Sequence, residues 1–134
     1  MIVVDSSALL AVVLNEPAGP PCRDALALHR ELAISGGTLA ESLVVADRKG
    51  VADLLDALIA RLRPEIVPLD EGFARRVCGA YGRWGKGVHP AKLNLFDCFA
   101  YVLARDLDCP LLFVGKDFPR TDVRGVLDPP LPPP

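Results

Sequence analysis

Apolar and polar positions along the chain fall into short β-branched runs separated by longer stretches of helical period. Ile2-Val3-Val4 is apolar at successive positions, as in a strand buried on both faces. After Asp5-Ser6-Ser7, the segment Ala8 to Leu14 predicts a helix that stops near Asn15-Glu16-Pro17. Pro20 and Pro21 open a second helix, expected to run to about Leu32, and Ile34-Ser35-Gly36-Gly37 is expected to be a break. Thr38, with Glu41 three residues on, fits a capping box and opens a helix to about Lys49. Val51 to Arg63 predicts an amphipathic helix with Leu54, Leu55, Leu58 and Leu62 on one side. Ile66-Val67 reads as a short strand, and Asp70 caps a helix from Glu71 to about Trp84. Gly82, Gly85 and Gly87 then interrupt regular structure.

The segment from Asn94 to Ala104 is apolar on nearly every side, which predicts a buried helix. It nevertheless carries Asp97. Pro110 to Val114 reads as a buried strand ending at Gly115-Lys116-Asp117, and Val123 to Leu127 as a last strand. Pro129 to Pro134 lacks the donors and periodicity for helix or sheet and is expected to be a loose extended tail. Short strands alternating with helices predict one α/β domain with a mostly parallel sheet, residues 1–128, followed by a tail over 129–134.

Composition narrows the picture. A chain of 134 residues, 51% hydrophobic and 24% charged, is long enough for a real core and too apolar to be disordered. A formal net charge of −2 supplies no global field for nucleic acid, so such binding requires a local patch. Cys22, Cys78, Cys98 and Cys109 form no CxxC pair and no zinc-like spacing with histidine, and free buried thiols in a reducing compartment are expected. The N-terminus has no basic region or cleavage site of a signal peptide, and no apolar run reaches the ~18 residues of a membrane span. A soluble cytoplasmic protein is the expectation.

The acids carry the candidate chemistry. Asp5 and Asp117 follow buried strands, and Glu41 and Asp97 sit at the third position of apolar helices. In an α/β layer, strand C-termini and the N-termini of the next helices share one sheet edge, where ligands bind. Asp5, Glu41, Asp97 and Asp117 can therefore converge, with Asp122 as a possible fifth. Converging carboxylates need shared protons or a hard cation, and an all-oxygen set favours Mg²⁺ or Mn²⁺. Such sites assist attack of water on phosphodiesters. Each acid also has a purely structural reading: Asp5 as a helix cap, Glu41 bonded back to the Thr38 amide, Asp97 at the positive end of its helix.

Local charge adds a second clue. From Gly72 to Phe96 there is no acid, while Arg75, Arg76, Arg83, Lys86 and Lys92 are interleaved with Tyr81, Trp84 and His89. Lys116, Arg120 and Arg124 flank Asp117. A basic rim with aromatics around an acidic cleft suits a single-stranded polyanion. Among these, Arg83, Lys86, Lys92 and Lys116 are the candidate contacts for such a strand. A solvated helix face accounts equally well for Arg75 and Arg76, and a core position for Trp84.

Four segments in order, Val4-Asp5-Ser6-Ser7-Ala8-Leu9, Leu39-Ala40-Glu41, Leu93-Asn94-Leu95-Phe96-Asp97 running on to Ala104, and Leu112 to Asp122, resemble the PIN domain, and more closely the VapC toxins of bacterial toxin–antitoxin pairs. The resemblance spans Met1 to about Leu127. It implies a three-layer α/β/α sandwich and a Mg²⁺- or Mn²⁺-dependent endoribonuclease that cleaves tRNA or ribosomal RNA. It implies a homodimer and inhibition by a VapB-type antitoxin. By position it assigns Asp5 and Asp97 as direct metal ligands, Glu41, Asp117 and Asp122 as further or water-mediated ones, and Ser6 and Asn94 as supporting residues. Members commonly carry a small residue before the Asp97 position, where this chain has Phe96, and Gly36-Gly37 is unusually loose for the run before Glu41. Two other classes remain: a non-catalytic RNA- or protein-binding module on the same fold, and a phosphatase with Asp5 as nucleophile. The latter chemistry usually wants a second Asp two residues on, where this chain has Ser7.

Overall fold

A computed structural model describes residues 1–127 and 129–134. The domain boundary expected at residue 128 falls on a residue outside the described ones. The elements in order are β1 (Ile2–Val4), α1 (Ser6–Val13), α2 (Gly19–Leu28), β2 (Leu32–Ser35), α3 (Gly36–Arg48), α4 (Ala52–Leu62), β3 (Glu65–Val67), α5 (Glu71–Trp84), α6 (Leu95–Leu107) and β4 (Leu111–Leu112), then a 3-10 turn over Phe118–Arg120. The sheet has four strands in the order β3-β2-β1-β4, all parallel. All crossovers in such a sheet must place helices on its faces.

The pleat divides the strand side chains between two cores. Val3 and Ala33 face one way, into a cluster with Phe73, Val77 and Trp84 of α5 and Phe99 and Leu103 of α6. Ile2, Val4 and Ile34 face the other way, among Leu9 of α1, Cys22 and Leu26 of α2 and Leu55 of α4. The result is the expected three-layer α/β/α sandwich. Helix α6 is buried continuously from Cys98 to Ala104, as its apolar circumference requires. Its two ends emerge, with Leu95 51% and Phe96 41% exposed in the first turn and Arg105 to Leu107 exposed in the last.

The largest departure from the expected elements lies between residues 28 and 41. Helix α2 stops at Leu28, capped by His29, and Leu32–Ser35 is a fully buried strand rather than a helix end and a break. Leu-Ala-Ile-Ser has too few β-branched residues to announce a strand; pairing with both β1 and β3 decides it. Helix α3 then begins at Gly36, with Ser35 as the N-cap, its Oγ accepting from the Gly37 N–H at 3.2 Å. The Thr38 capping box does not form, and Glu41 lies in the second turn. Gly37 is not slack. A Cβ there would lie 2.6 Å from the Phe99 ring, so the glycine lets α3 press directly on α6.

Smaller differences have local causes. Leu54 is 57% exposed while Leu55 is fully buried, so the inward face of α4 is rotated from the expected one. All four cysteines are free, with Cys22 and Cys98 buried. Cys78 is exposed because α5 turns Phe73, Val77, Ala80 and Trp84 inward instead. In place of a last strand over Val123 to Leu127, only Gly125 bridges to Leu111, with the Leu111 N–H donating to the Arg124 carbonyl at 2.8 Å. In the proline-rich tail, Leu131 pairs with Val114, and its carbonyl accepts from the Gly115 N–H at 3.0 Å. Among the described residues no helix is long and apolar enough to cross a membrane.

The Gly37–Phe99 contact can be tested directly. Gly37→Ala is expected to destabilise by about 1–3 kcal/mol, the usual magnitude for overpacking a tight core contact. Gly36→Ala meets only the Val67 carbonyl at 3.5 Å, an ordinary contact, and should be neutral or slightly stabilising through helix propensity. Paired thermal denaturation of the two variants checks the difference.

Candidate active site

Asp5 leaves the C-terminal end of β1 and is 3% exposed. Its Oδ2 accepts from the Ser7 N–H at 3.1 Å and from the Ser7 hydroxyl at 2.6 Å, so the structural reading of Asp5 as the α1 cap holds. The same hydroxyl accepts from the Val114 N–H at 3.0 Å, tying the ends of β1 and β4 together. Oδ1 of Asp5 is buried and has no hydrogen-bond partner. A buried oxygen of this kind is expensive unless something charged or protonated meets it.

Glu41 reaches this edge from α3. Ser6 donates to its Oε1 at 2.7 Å, so it bonds across to α1 and not back to its own helix start. Asp97 comes from the first turn of α6 and forms a reciprocal capping box: its Oδ2 accepts from the Asn94 N–H at 2.9 Å, and Asn94 Oδ1 accepts from the Asp97 N–H at 2.8 Å. Asn94 thereby fixes the Asp97 carboxylate. Asp117 precedes the 3-10 turn, is exposed, and makes no side-chain cap bond there.

These acids form one electrostatic group. Burial pushes the Asp97 carboxyl up to about 7, against the Asn94 amide, and the charges of Asp5, Glu41 and Asp117 push it the same way. Burial also raises Asp5, against the Ser7 hydroxyl and amide. Glu41 is raised by burial and by the Asp5 charge, with the Ser6 hydroxyl opposing. Among the described residues, no three Asp, Glu, His or Cys side chains already form a closed metal cage. The acids are near enough to feel one another yet not gathered at coordination distance. A small side-chain rotation changes ligand distances but not the placement of four acids at one edge, where each acts on Asp97 or is Asp97 itself. The donor set fits a hard divalent cation: it is all oxygen, anionic, and includes the unpartnered Asp5 Oδ1.

Asp122 does not join the group. It accepts from the Tyr101 hydroxyl at 2.5 Å, which accepts in turn from Trp84 Nε1 at 3.0 Å, and lies 3.9 Å from Arg105. It fastens the C-terminal segment to α6, and its charge is not among those acting on Asp97. The possible fifth acid thus has a structural partner of its own in Tyr101. Conversely, Ser7 is a site residue that the acid pattern does not single out. Its signal was a hydroxyl two residues after a strand-terminal Asp, the spacing at which a side chain bonds the turn it begins.

The basic residues divide. Arg75 pairs with Glu71 and Arg76 with Asp106, so both belong to solvated helix faces. Trp84 is a core residue with the Arg83 guanidinium 4.6 Å from its ring. Lys86 and Lys92 line an open concavity of about 500 Å³ with Val88, His89 and Pro90, in the loop that leads to Asn94. Lys116 is exposed beside Asp117.

An acidic edge on a parallel α/β/α sandwich defines the class, and the chain belongs to the PIN domain family, matched over residues 2–124. It is 36% identical to ribonuclease VapC28 of Mycobacterium tuberculosis over 131 residues, 95% of this chain and 98% of that one. It is 37% identical to ribonuclease VapC30 of the same organism over 128 residues, 93% and 98% of the two chains. Among solved structures it resembles VapC20 of M. tuberculosis, described as a sarcin–ricin loop cleaving toxin, at TM-score 0.76, 13% identity, and coverage of 92% and 96%. It also resembles a toxin–antitoxin complex from Klebsiella pneumoniae at TM-score 0.67, 20% identity, and coverage of 88% and 90%. These two likenesses concern the fold.

The acidic group makes stability depend on pH in a defined direction. A carboxyl raised from 3.8 to about 7 contributes stability that is fully present below its unfolded value and is lost as pH rises through the folded one. The metal-free protein should therefore melt at a lower temperature at about pH 8 than at about pH 5. Asp97→Asn should flatten that slope. If these acids hold a divalent cation, added Mg²⁺ should raise the melting temperature more at the higher pH, because ligand carboxylates must be ionised. Differential scanning fluorimetry across the range checks all three.

Proposed function

We propose that the chain is a Mg²⁺- or Mn²⁺-dependent endoribonuclease, acting in the cytoplasm as the toxin of a toxin–antitoxin pair. The observation that carries the reading is Asp5 Oδ1, buried and unpartnered, at an edge shared with Glu41, Asp97 and Asp117. Its similarity to ribonucleases over nearly the whole chain points the same way.

Asp5 and Asp97 would hold the ion, Asp5 through its free oxygen and Asp97 with its orientation set by Asn94. Glu41, held by Ser6, is placed to orient a water and take its proton. Asp117, at the exposed rim, would position solvent around the site. The ion, when bound, supplies the charge that activates water and offsets charge developing on the phosphate. Hydrolysis of this type leaves a 3′-hydroxyl and a 5′-phosphate. Lys86, Lys92, Arg83 and Lys116 would meet the RNA backbone, which compensates the acidic cleft locally despite the net negative chain. Structured RNA, transfer or ribosomal, is the proposed substrate class.

For a VapB-type antitoxin, a groove between α2 and α4 has the required chemistry. Arg23, Arg30 and Arg61 surround an apolar floor of Leu26, Leu58 and Leu62, with a volume of about 340 Å³. An amphipathic segment with acidic residues beside its apolar stripe would fit it. A homodimer belongs to the same proposal.

Wild type should cleave RNA with Mg²⁺ or Mn²⁺ and stop with EDTA. Asp97→Asn should lose at least about a hundredfold in kcat/KM, because charge stabilisation by the ion is worth several kcal/mol. Equal cleavage by both proteins, or RNA binding by wild type without any metal-dependent turnover, would favour the non-catalytic module. For the partner, Arg23→Glu combined with Arg61→Glu should weaken coelution with the small protein encoded beside this gene, while RNA cleavage persists.

A further inference from the structure

Phe96 immediately precedes Asp97, and the residue is 41% exposed. The ring is held in place, meeting Phe99 edge-on at 5.8 Å and 66°. It lines a depression of about 290 Å³ with Ala40, Glu41, Val44 and Val45. Glu41 is the one polar residue there, and it is the carboxylate that Ser6 fixes in the acidic group. An apolar pocket with an aromatic wall therefore opens directly beside the acids. At the small end of the roughly 300–1,000 Å³ of typical ligand pockets, it suits a single flat ring system.

We propose that this pocket receives one unpaired nucleobase of the RNA, from a nucleotide next to the cleaved phosphate, with Phe96 as the stacking surface and a determinant of specificity for unpaired RNA. The proposal rests on the ribonuclease reading above. A nucleotide matches both halves of the site at once, its base against Phe96 and its phosphate toward the acids and their cation. An apolar side chain from a protein partner would satisfy the hydrophobic wall and leave the Glu41 wall without a counterpart. Stacking is indifferent to base identity, because every base presents a π-face. A base within a duplex has both faces covered by its neighbours and cannot enter. Phe96 thus selects for accessibility of the base rather than for its hydrogen-bonding edge.

The test uses a short single-stranded RNA containing 2-aminopurine at several positions, mixed with protein in Mg²⁺ and followed by stopped flow, so that quenching is read before hydrolysis proceeds. Wild type and Phe96→Trp should quench the fluorescence. Phe96→Leu, which keeps apolar bulk without the aromatic face, and Phe96→Ala should lose most of the quenching and bind roughly tenfold more weakly. A hairpin carrying the same bases in its stem should be quenched by none of them. Equal quenching by wild type and Phe96→Ala, or none by wild type, overturns the proposal. So does a Phe96→Ala protein that turns from dimer to monomer in sedimentation while its quenching is unchanged, since the pocket then belongs to an interface between copies. Quenching that depends on Phe96 without any cleavage by wild type in Mg²⁺ or Mn²⁺ sinks the ribonuclease reading and leaves the base pocket standing. Normal cleavage with Phe96-independent quenching does the reverse.

Discussion

The carboxylate of Asp5 is carried into the interior by the strand that precedes it, and the surrounding chain is arranged to tolerate it there. Ile2, Val3 and Val4 are buried in both cores, so β1 is central and its C-terminal residue cannot retreat to solvent. Ser7 meets one oxygen with its amide and hydroxyl, and that hydroxyl also holds Val114 at the end of β4. The hydrogen bonds that lower the energy of the buried acid are therefore the ones that fix the edge of the sheet. Oδ1 is left unmet. In a fold stable by only about 5–15 kcal/mol, an unpartnered buried carboxylate oxygen is a substantial liability, and it is retained at the place where three other acids gather.

That gathering depends on how closely two helices approach. Glu41 and Asp97 belong to α3 and α6, and the distance between those helices is set where Gly37 lies on the Phe99 ring. Helix α6 is in turn held by burial from Cys98 to Ala104, and by the chain from Trp84 through Tyr101 to Asp122. Two contacts remote from the carboxylates thus determine their spacing. Ser6 and Asn94 then set the direction of each carboxylate by a single hydrogen bond or a reciprocal pair. The order is hierarchical: core packing places the backbones, and polar side chains at helix starts aim the acids.

Much of this was legible in the sequence. The apolar circumference of α6 and the Asn94-to-Asp97 spacing identify a buried helix with a carboxylate at its mouth, and Ile2-Val3-Val4-Asp5 identifies a central strand with an acid at its end. Both are local signals, and both hold. The strand Leu32–Ser35 was not legible, because its residues lack intrinsic β preference and become a strand only through neighbours on both sides. Losing that strand shifted the start of α3 and gave Glu41 a capping role it does not have. The Tyr101 partner of Asp122 is illegible in the sequence for a related reason. Position after a strand says where a backbone goes, but not that Tyr101, on a different element, satisfies the carboxylate first.

The electrostatics connect stability to the proposed activity. Asp5, Glu41 and Asp97 all have carboxyls raised above their ordinary range, so the folded state resists ionising them. The group therefore holds either protons or mutually repelling charges, neither of which suits an anionic substrate. RNA approaching this edge meets carboxylates directly, and the basic residues Lys86, Lys92 and Lys116 lie at the periphery rather than among the acids. On the proposed reading, a divalent ion resolves both conflicts together. It replaces the protons, and it presents net positive charge to the phosphate. Binding of ion and substrate then becomes mutually reinforcing, since each lowers the electrostatic penalty of the other, and reciprocity of that coupling follows from linkage. An ion binding only the folded state adds stability according to its concentration relative to its dissociation constant. The same carboxylates that weaken the isolated fold are then the source of its affinity for the ion, so destabilisation and function have one physical origin.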